Sequence, residues 1–97
     1  MNDLQIEYFL AVARNLSFTK TAEEFYVTQP AVSRQISFLE KELDVALFDR
    51  TNKSTKLTEA GRLFQKYFAD SKKSLARTKE LARSMNSRKT GRVRVAS

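Results

Sequence analysis

A chain of 97 residues suffices for one small domain, or one domain plus an appendage, and excludes a large enzyme core. The absence of Cys and His excludes disulfides, zinc fingers of the Cys or Cys/His type and catalysis that depends on either residue. A formal charge of +7, from 18 Lys and Arg against 11 Asp and Glu, favours an acidic partner such as nucleic acid or an anionic membrane.

The charge is uneven. Residues 1–58 carry 7 basic and 8 acidic groups and residues 59–97 carry 11 and 3, so the first part is not basic as a whole. Met1-Asn2-Asp3 has no basic n-region and the longest clean apolar run is Tyr8 to Ala13. Neither a signal peptide nor a transmembrane helix is therefore expected, and a cytoplasmic location follows.

Leu4 to Arg14 reads as a first helix, with Leu4, Tyr8, Phe9, Ala11, Val12 and Ala13 forming a broad apolar face. Tyr8 and Phe9 are read as core, since no basic residue precedes Arg14. A second helix begins at Ser17, a capping residue, carries Phe18, Ala22 and Phe25 on one face, and is expected to end near Tyr26. Glu23 and Glu24 lie on it with no ligand set around them, so no metal is assigned.

A third helix starts at Thr28 or Gln29, with Thr28 as cap and Pro30 in the first turn, where a missing N–H costs nothing. Val32, Ile36, Leu39 and Leu43 form its inner stripe; about 100° per residue puts Pro30, Ser33, Arg34, Ser37 and Lys41 on the far side. That face is small, polar and cationic. Two helices joined by so short a turn form a helix-turn-helix, which suits the DNA major groove.

Gln29 at the helix tip can present its amide to adenine N6 and N7, Pro30 offers an apolar edge to a thymine methyl, and Arg34 can reach guanine or a phosphate. Thr28, Ser33 and Ser37, as hydroxyls on the leading turns, are assigned to the DNA backbone.

From Asp44 to Thr58 the period changes: Val45, Leu47, Phe48 and Leu57 flank a polar centre, Asp49 to Ser54, which reads as a short two-stranded wing. Arg50 and Lys53 on this wing are assigned to phosphates, with Lys56 as a further cation in reach of backbone or minor groove.

Thr58 caps the longest helix, Glu59 to about Asn86, with Gly61 an exception inside its first turn. Its apolar stripe outruns what three short helices can cover. A second copy of the same helix is the simplest cover, through Leu63, Tyr67, Leu75, Leu81 and Met85, giving a homodimer. Ser87 to Gly91 reads as a break and hinge, and Arg92 to Ser97 alternates like the start of a strand.

One ordered set of residues is more specific than any of these readings alone: Ser17-Phe18, Ala22, Val27 to Ile36, Leu39-Glu40, Leu43, Leu47-Phe48, Arg50 and Leu57-Thr58-Glu59-Ala60-Gly61. It resembles the DNA-binding region of LysR-type transcriptional regulators, from the first helix to the last residues. The resemblance implies a mostly α fold, a winged helix-turn-helix of three helices and a two-stranded wing followed by a long linker helix. It also implies a division into residues 1–58, 59–86 and 87–97, the last opening a further domain that binds a small-molecule effector.

No cofactor is expected in the chain itself. The expected partners are double-stranded DNA carrying an imperfect palindrome and a second copy of the chain, with higher oligomers open to the complete protein, and no membrane. The reading from another class is a basic coiled-coil adapter or membrane-surface protein that leaves the polar face of the third helix unused; Ser71, Ser74 and Thr78 dilute the apolar face it would need. Asp44 and Asn15-Leu16 stand where the family usually has Gly, and Asn and Asp tolerate the left-handed backbone that ends a helix. Phe25 stands where Leu is more usual.

Overall fold

The computed structural model describes residues 1–51 and 54–90, the last four as backbone only. Its elements are α1 (Asp3–Asn15), α2 (Phe18–Glu24), α3 (Gln29–Leu43), β1 (Phe48–Asp49), β2 (Lys56–Leu57) and α4 (Glu59–Thr90). The expected winged helix-turn-helix with a long trailing helix is what the chain forms.

Each start is made by a side-chain oxygen that accepts a free backbone N–H. Asn2 Oδ1 accepts from Gln5, Ser17 Oγ from Lys20, Thr28 Oγ1 from Ala31 and Thr58 Oγ1 from Gly61, at 2.9, 3.0, 3.3 and 2.9 Å. The ends use left-handed residues. At the close of α3, Asp44 has φ 60° and the Val45 N–H reaches back to the Glu40 carbonyl, as expected of Asp in place of Gly.

The first helix ends differently. Leu16, not Asn15, takes the left-handed conformation at φ 51°, a backbone that costs an L residue about 1–2 kcal/mol. Asn15 is occupied instead: its Nδ2 donates to Thr21 Oγ1 and to Glu24 at 3.1 and 3.0 Å. The second helix stops at Glu24, two residues short of expectation, because Tyr26 at φ 58° turns the chain and the N–H groups of Tyr26 and Val27 close on the Glu23 and Ala22 carbonyls.

The three helices meet in one core, in which Phe9, Val12, Val32, Ile36, Leu39 and Leu47 are fully buried. Aromatic rings tie its elements together: Phe9 of α1 lies 5.5 Å from Phe48 of the wing and 5.9 Å from Phe68 of α4, and Phe18 of α2 lies 5.5 Å from Phe48. The first-helix face differs from the pattern at two places. Leu4 is exposed and Gln5 is buried, its Nε2 donating to Gln35 Oε1 on α3 at 3.1 Å.

The wing pairs Phe48 with Leu57 and Asp49 with Lys56 in antiparallel register. Gly61 is explained by its neighbour: a Cβ there would lie 2.2 Å from the Leu47 carbonyl oxygen and 2.8 Å from Leu57 Cδ2, so only glycine lets α4 start against the wing. The long helix continues to Thr90, past the break expected at Ser87, since Ser, Arg, Lys and Thr do not break a helix. Gly91 and the alternating residues beyond it lie outside the described residues.

Candidate nucleic-acid interface

Helix α3 has two faces. Val32, Ile36 and Leu39 are buried, while Thr28 and Gln29 are exposed at the N-terminal tip, Pro30, Arg34 and Ser37 are exposed along the other side, and Ser33 on that side is half-buried. The core stripe thus fixes the rotation of α3 and turns its cap, Gln-Pro tip and first cation outward. The exposed tip and the adjoining Pro30, Ser33, Arg34 and Ser37 face are the arrangement a helix needs to enter a groove by its N-terminal turns.

Two carboxylates nearby, Glu24 and Asp49, are engaged by neighbouring side chains. Arg14 pairs with Glu24 at 2.6 Å, and hydrogen bonds first from Asn15 and then from Arg14 hold the Glu24 carboxyl below its usual range. On the wing, the Thr51 hydroxyl and then its backbone N–H donate to Asp49 at 2.6 and 3.0 Å, which lowers the Asp49 carboxyl and bends the start of the loop.

Arg50 is not a free cation. Its Nη1 donates to Ser33 Oγ at 3.1 Å, its Nη2 lies 3.7 Å from Glu40 Oε1, and its guanidinium carbon is 4.4 Å from the centre of the Phe18 ring. The second oxygen of Glu40 accepts from the backbone N–H groups of Leu47 and Phe48 at 2.7 and 3.3 Å. Glu40 therefore ties the entry of the wing to α3, a role that no spacing in the sequence announces. Lys53 falls outside the described residues, and Lys56 is exposed on β2.

Tyr26 is 94 % exposed and left-handed at the turn just before the α3 cap, a position that the helical pattern places at the end of α2. The expected dimer residues of α4, Leu63, Tyr67, Leu75, Leu81 and Met85, are all exposed. Among the described residues nothing covers them. No helix among the described residues is long and apolar enough to cross a membrane.

The family model described as bacterial regulatory helix-turn-helix protein, lysR family, matches residues 4–62, which span α1 to the first turn of α4. The chain belongs to this family. Among curated LysR-type relatives, the RuBisCO operon transcriptional regulator of Allochromatium vinosum is 41% identical over 92 residues, covering 95% of this chain and 30% of the relative. The glycine cleavage system transcriptional activator of Escherichia coli strain K12 is 47% identical over 88 residues, covering 91% of this chain and 27% of the relative. Among solved structures, the BenM DBD/catB site 1 DNA complex superposes with a TM-score of 0.82 at 32% identity, covering 90% of this chain and 94% of that one. The chain spans under a third of the length of the curated relatives, and its winged helix-turn-helix with a long helix is the LysR-type regulator domain.

Proposed function

We propose that this chain is the operator-reading part of a LysR-type transcriptional regulator and binds double-stranded DNA as a homodimer. The observation that carries this reading is the outward tip of α3, where Thr28, Gln29, Pro30 and Arg34 are exposed on a helix whose other side is locked in the core. The likeness to a domain whose solved structure is a DNA complex supports it.

In this reading Gln29, Pro30 and Arg34 touch base edges, while Thr28, Ser33, Ser37 and Lys53 contact the backbone. Residues 1–58 are the reader and α4 is the linker through which two copies join. Residues 87–97 lead into an effector-binding domain, and the complete protein works in the cytoplasm. Two copies of the α3 face related by a twofold axis call for an imperfect palindrome with half-sites about one turn of DNA apart. The two relatives are named for different targets, RuBisCO and glycine cleavage, so neither supplies the operator of this chain.

The test is a salt titration of binding to a duplex selected by the chain from a random-sequence pool and to its scrambled counterpart. Readout of base sequence predicts a ratio of affinities of about 10³ or more that persists as salt rises. Equal affinity for both duplexes at every salt concentration would leave only a basic surface binder.

A further inference from the structure

Helix α3 and the wing approach each other at Arg50, and the geometry there gives that residue a task other than neutralising phosphate. Two different nitrogens of the guanidinium are committed, one to Ser33 Oγ at 3.1 Å and the other toward Glu40 at 3.7 Å, and its face lies over the buried Phe18 ring at 4.4 Å. A planar, forked cation can meet three partners on α2 and α3 at once; a Lys ammonium is a single point of charge.

The consequence falls on Ser33. A serine hydroxyl has one proton and two lone pairs, and Arg50 fills one lone pair. Among the described residues no protein acceptor takes the Ser33 proton; the backbone carbonyl one turn back, which Thr78 uses on α4 at 2.8 Å, is not used here. The hydroxyl is therefore a donor in waiting, and accepting from a cation strengthens the bond it can donate.

We infer that Arg50 is a positioning residue of the DNA interface, which orients the Ser33 hydroxyl to donate to a phosphate oxygen and fixes the base of the wing against α3. This inference rests on the DNA-binding reading above. Glu40 completes the device, since one of its oxygens faces Arg50 while the other holds the Leu47 and Phe48 N–H groups.

The test is a double-mutant cycle of Arg50→Lys and Ser33→Ala, with Arg50→Gln beside them. Affinity for the selected duplex is measured across a range of salt, and melting temperature is followed for each variant. Arg50→Lys and Ser33→Ala should each weaken binding about tenfold, the loss of one hydrogen bond to a charged oxygen, and together little more than either alone. Arg50→Gln should leave the salt slope at its wild-type value.

Full rescue by Lys, or a fall of about one in the salt slope for Gln, would make Arg50 a direct phosphate contact and overturn the inference. Additive losses would overturn it too, because Arg50 would then act without Ser33. Should the Arg50 variants not fold, Ser33→Ala alone remains decisive, since wild-type affinity in that variant leaves Arg50 nothing to orient. A wild-type chain that fails to prefer its selected duplex sinks the DNA-binding reading itself, whereas a preference with an additive cycle sinks only this step.

Discussion

The two halves of α4 share an amphipathic pattern and have opposite fates. In the first half Gly61 lies against the Leu47 carbonyl and Phe68 enters the core beside Phe9 and Phe64, at ring separations of 5.9 and 5.8 Å. In the second, every residue from Asp70 to Asn86 is exposed. Periodicity gives a helix a face, and what covers that face depends on how far the rest of the chain reaches. Here α1 ends the cover, with the Lys72–Glu7 ion pair as the last tie between the two helices.

At about 100° per residue, Leu63, Tyr67, Leu81 and Met85 fall within about 40° of one another, whereas Leu75 turns toward the side of Phe64 and Phe68. The uncovered seam thus starts beside the core and continues beyond it.

The sharpest contrast is between Phe68 and its counterparts further along. Phe68→Ala should destabilise the fold by about 3–5 kcal/mol, because it empties a buried site packed against the Phe9 and Phe64 rings. Denaturant unfolding of a dilute sample measures this, and a loss comparable to that of Leu75→Ala would mean that the first half of α4 is no more part of the core than the second.

Gly61→Ala tests the same junction from the backbone side. The added methyl meets a carbonyl oxygen at 2.2 Å, so α4 or the wing must shift, at a cost of about 1–3 kcal/mol. An unchanged midpoint would show that the start of α4 is free to move.

In the second half the expected effects on the isolated fold shrink to about 0.5 kcal/mol or less, and the change appears in association. Leu81→Asp should abolish the dependence of melting temperature on chain concentration that a dimer imposes, and Leu75→Asp should weaken it less. Sedimentation across a concentration series checks both. Equal loss in the two variants would place Leu75 on the seam, and no loss in either would move the dimer interface away from α4.

The same contrast between local pattern and distant cover separates what is legible in the residue order from what is not. Caps and the α3 stripe are local or periodic signals, so the elements and the outward tip of α3 follow from the amino-acid sequence, whereas the reason for Gly61 lies in the Leu47 carbonyl at the entry of the wing. Tyr26 ends α2 early because its left-handed turn is stabilised by carbonyls of Ala22 and Glu23, which no side-chain pattern encodes. The pattern does not single out Phe68 for the core, because a helix carrying both an inward pair, Phe64 and Phe68, and an outward pair, Leu63 and Tyr67, shows only one broad apolar side. Arg50 reads as a free wing cation, and its polar partners Glu40 and Ser33 are 10 and 17 residues away on α3, with the Phe18 ring on α2, where only the folded chain brings them together.

The smallest expected effect belongs to the tie between α1 and α2 under the reading head. Asn15 and Arg14 lower the Glu24 carboxyl from the ordinary 4.5, so the folded state favours the charged form more than the unfolded state does. The sign follows: the contribution is complete above the unfolded value and disappears as pH falls through the lower folded one. Glu24→Gln should therefore melt slightly below wild type at about neutral pH, and the gap should close in acid. Exposure of both partners to solvent keeps the gap small and makes it shrink with salt. The Asp49 carboxyl, lowered by the Thr51 hydroxyl and then its backbone N–H, contributes with the same sign, so Asp49→Asn should also melt slightly below wild type at about neutral pH and its gap should close in acid. A Glu24→Gln gap that persists in strong acid would mean that the Asn15 and Arg14 hydrogen bonds act through geometry and not through the carboxylate charge.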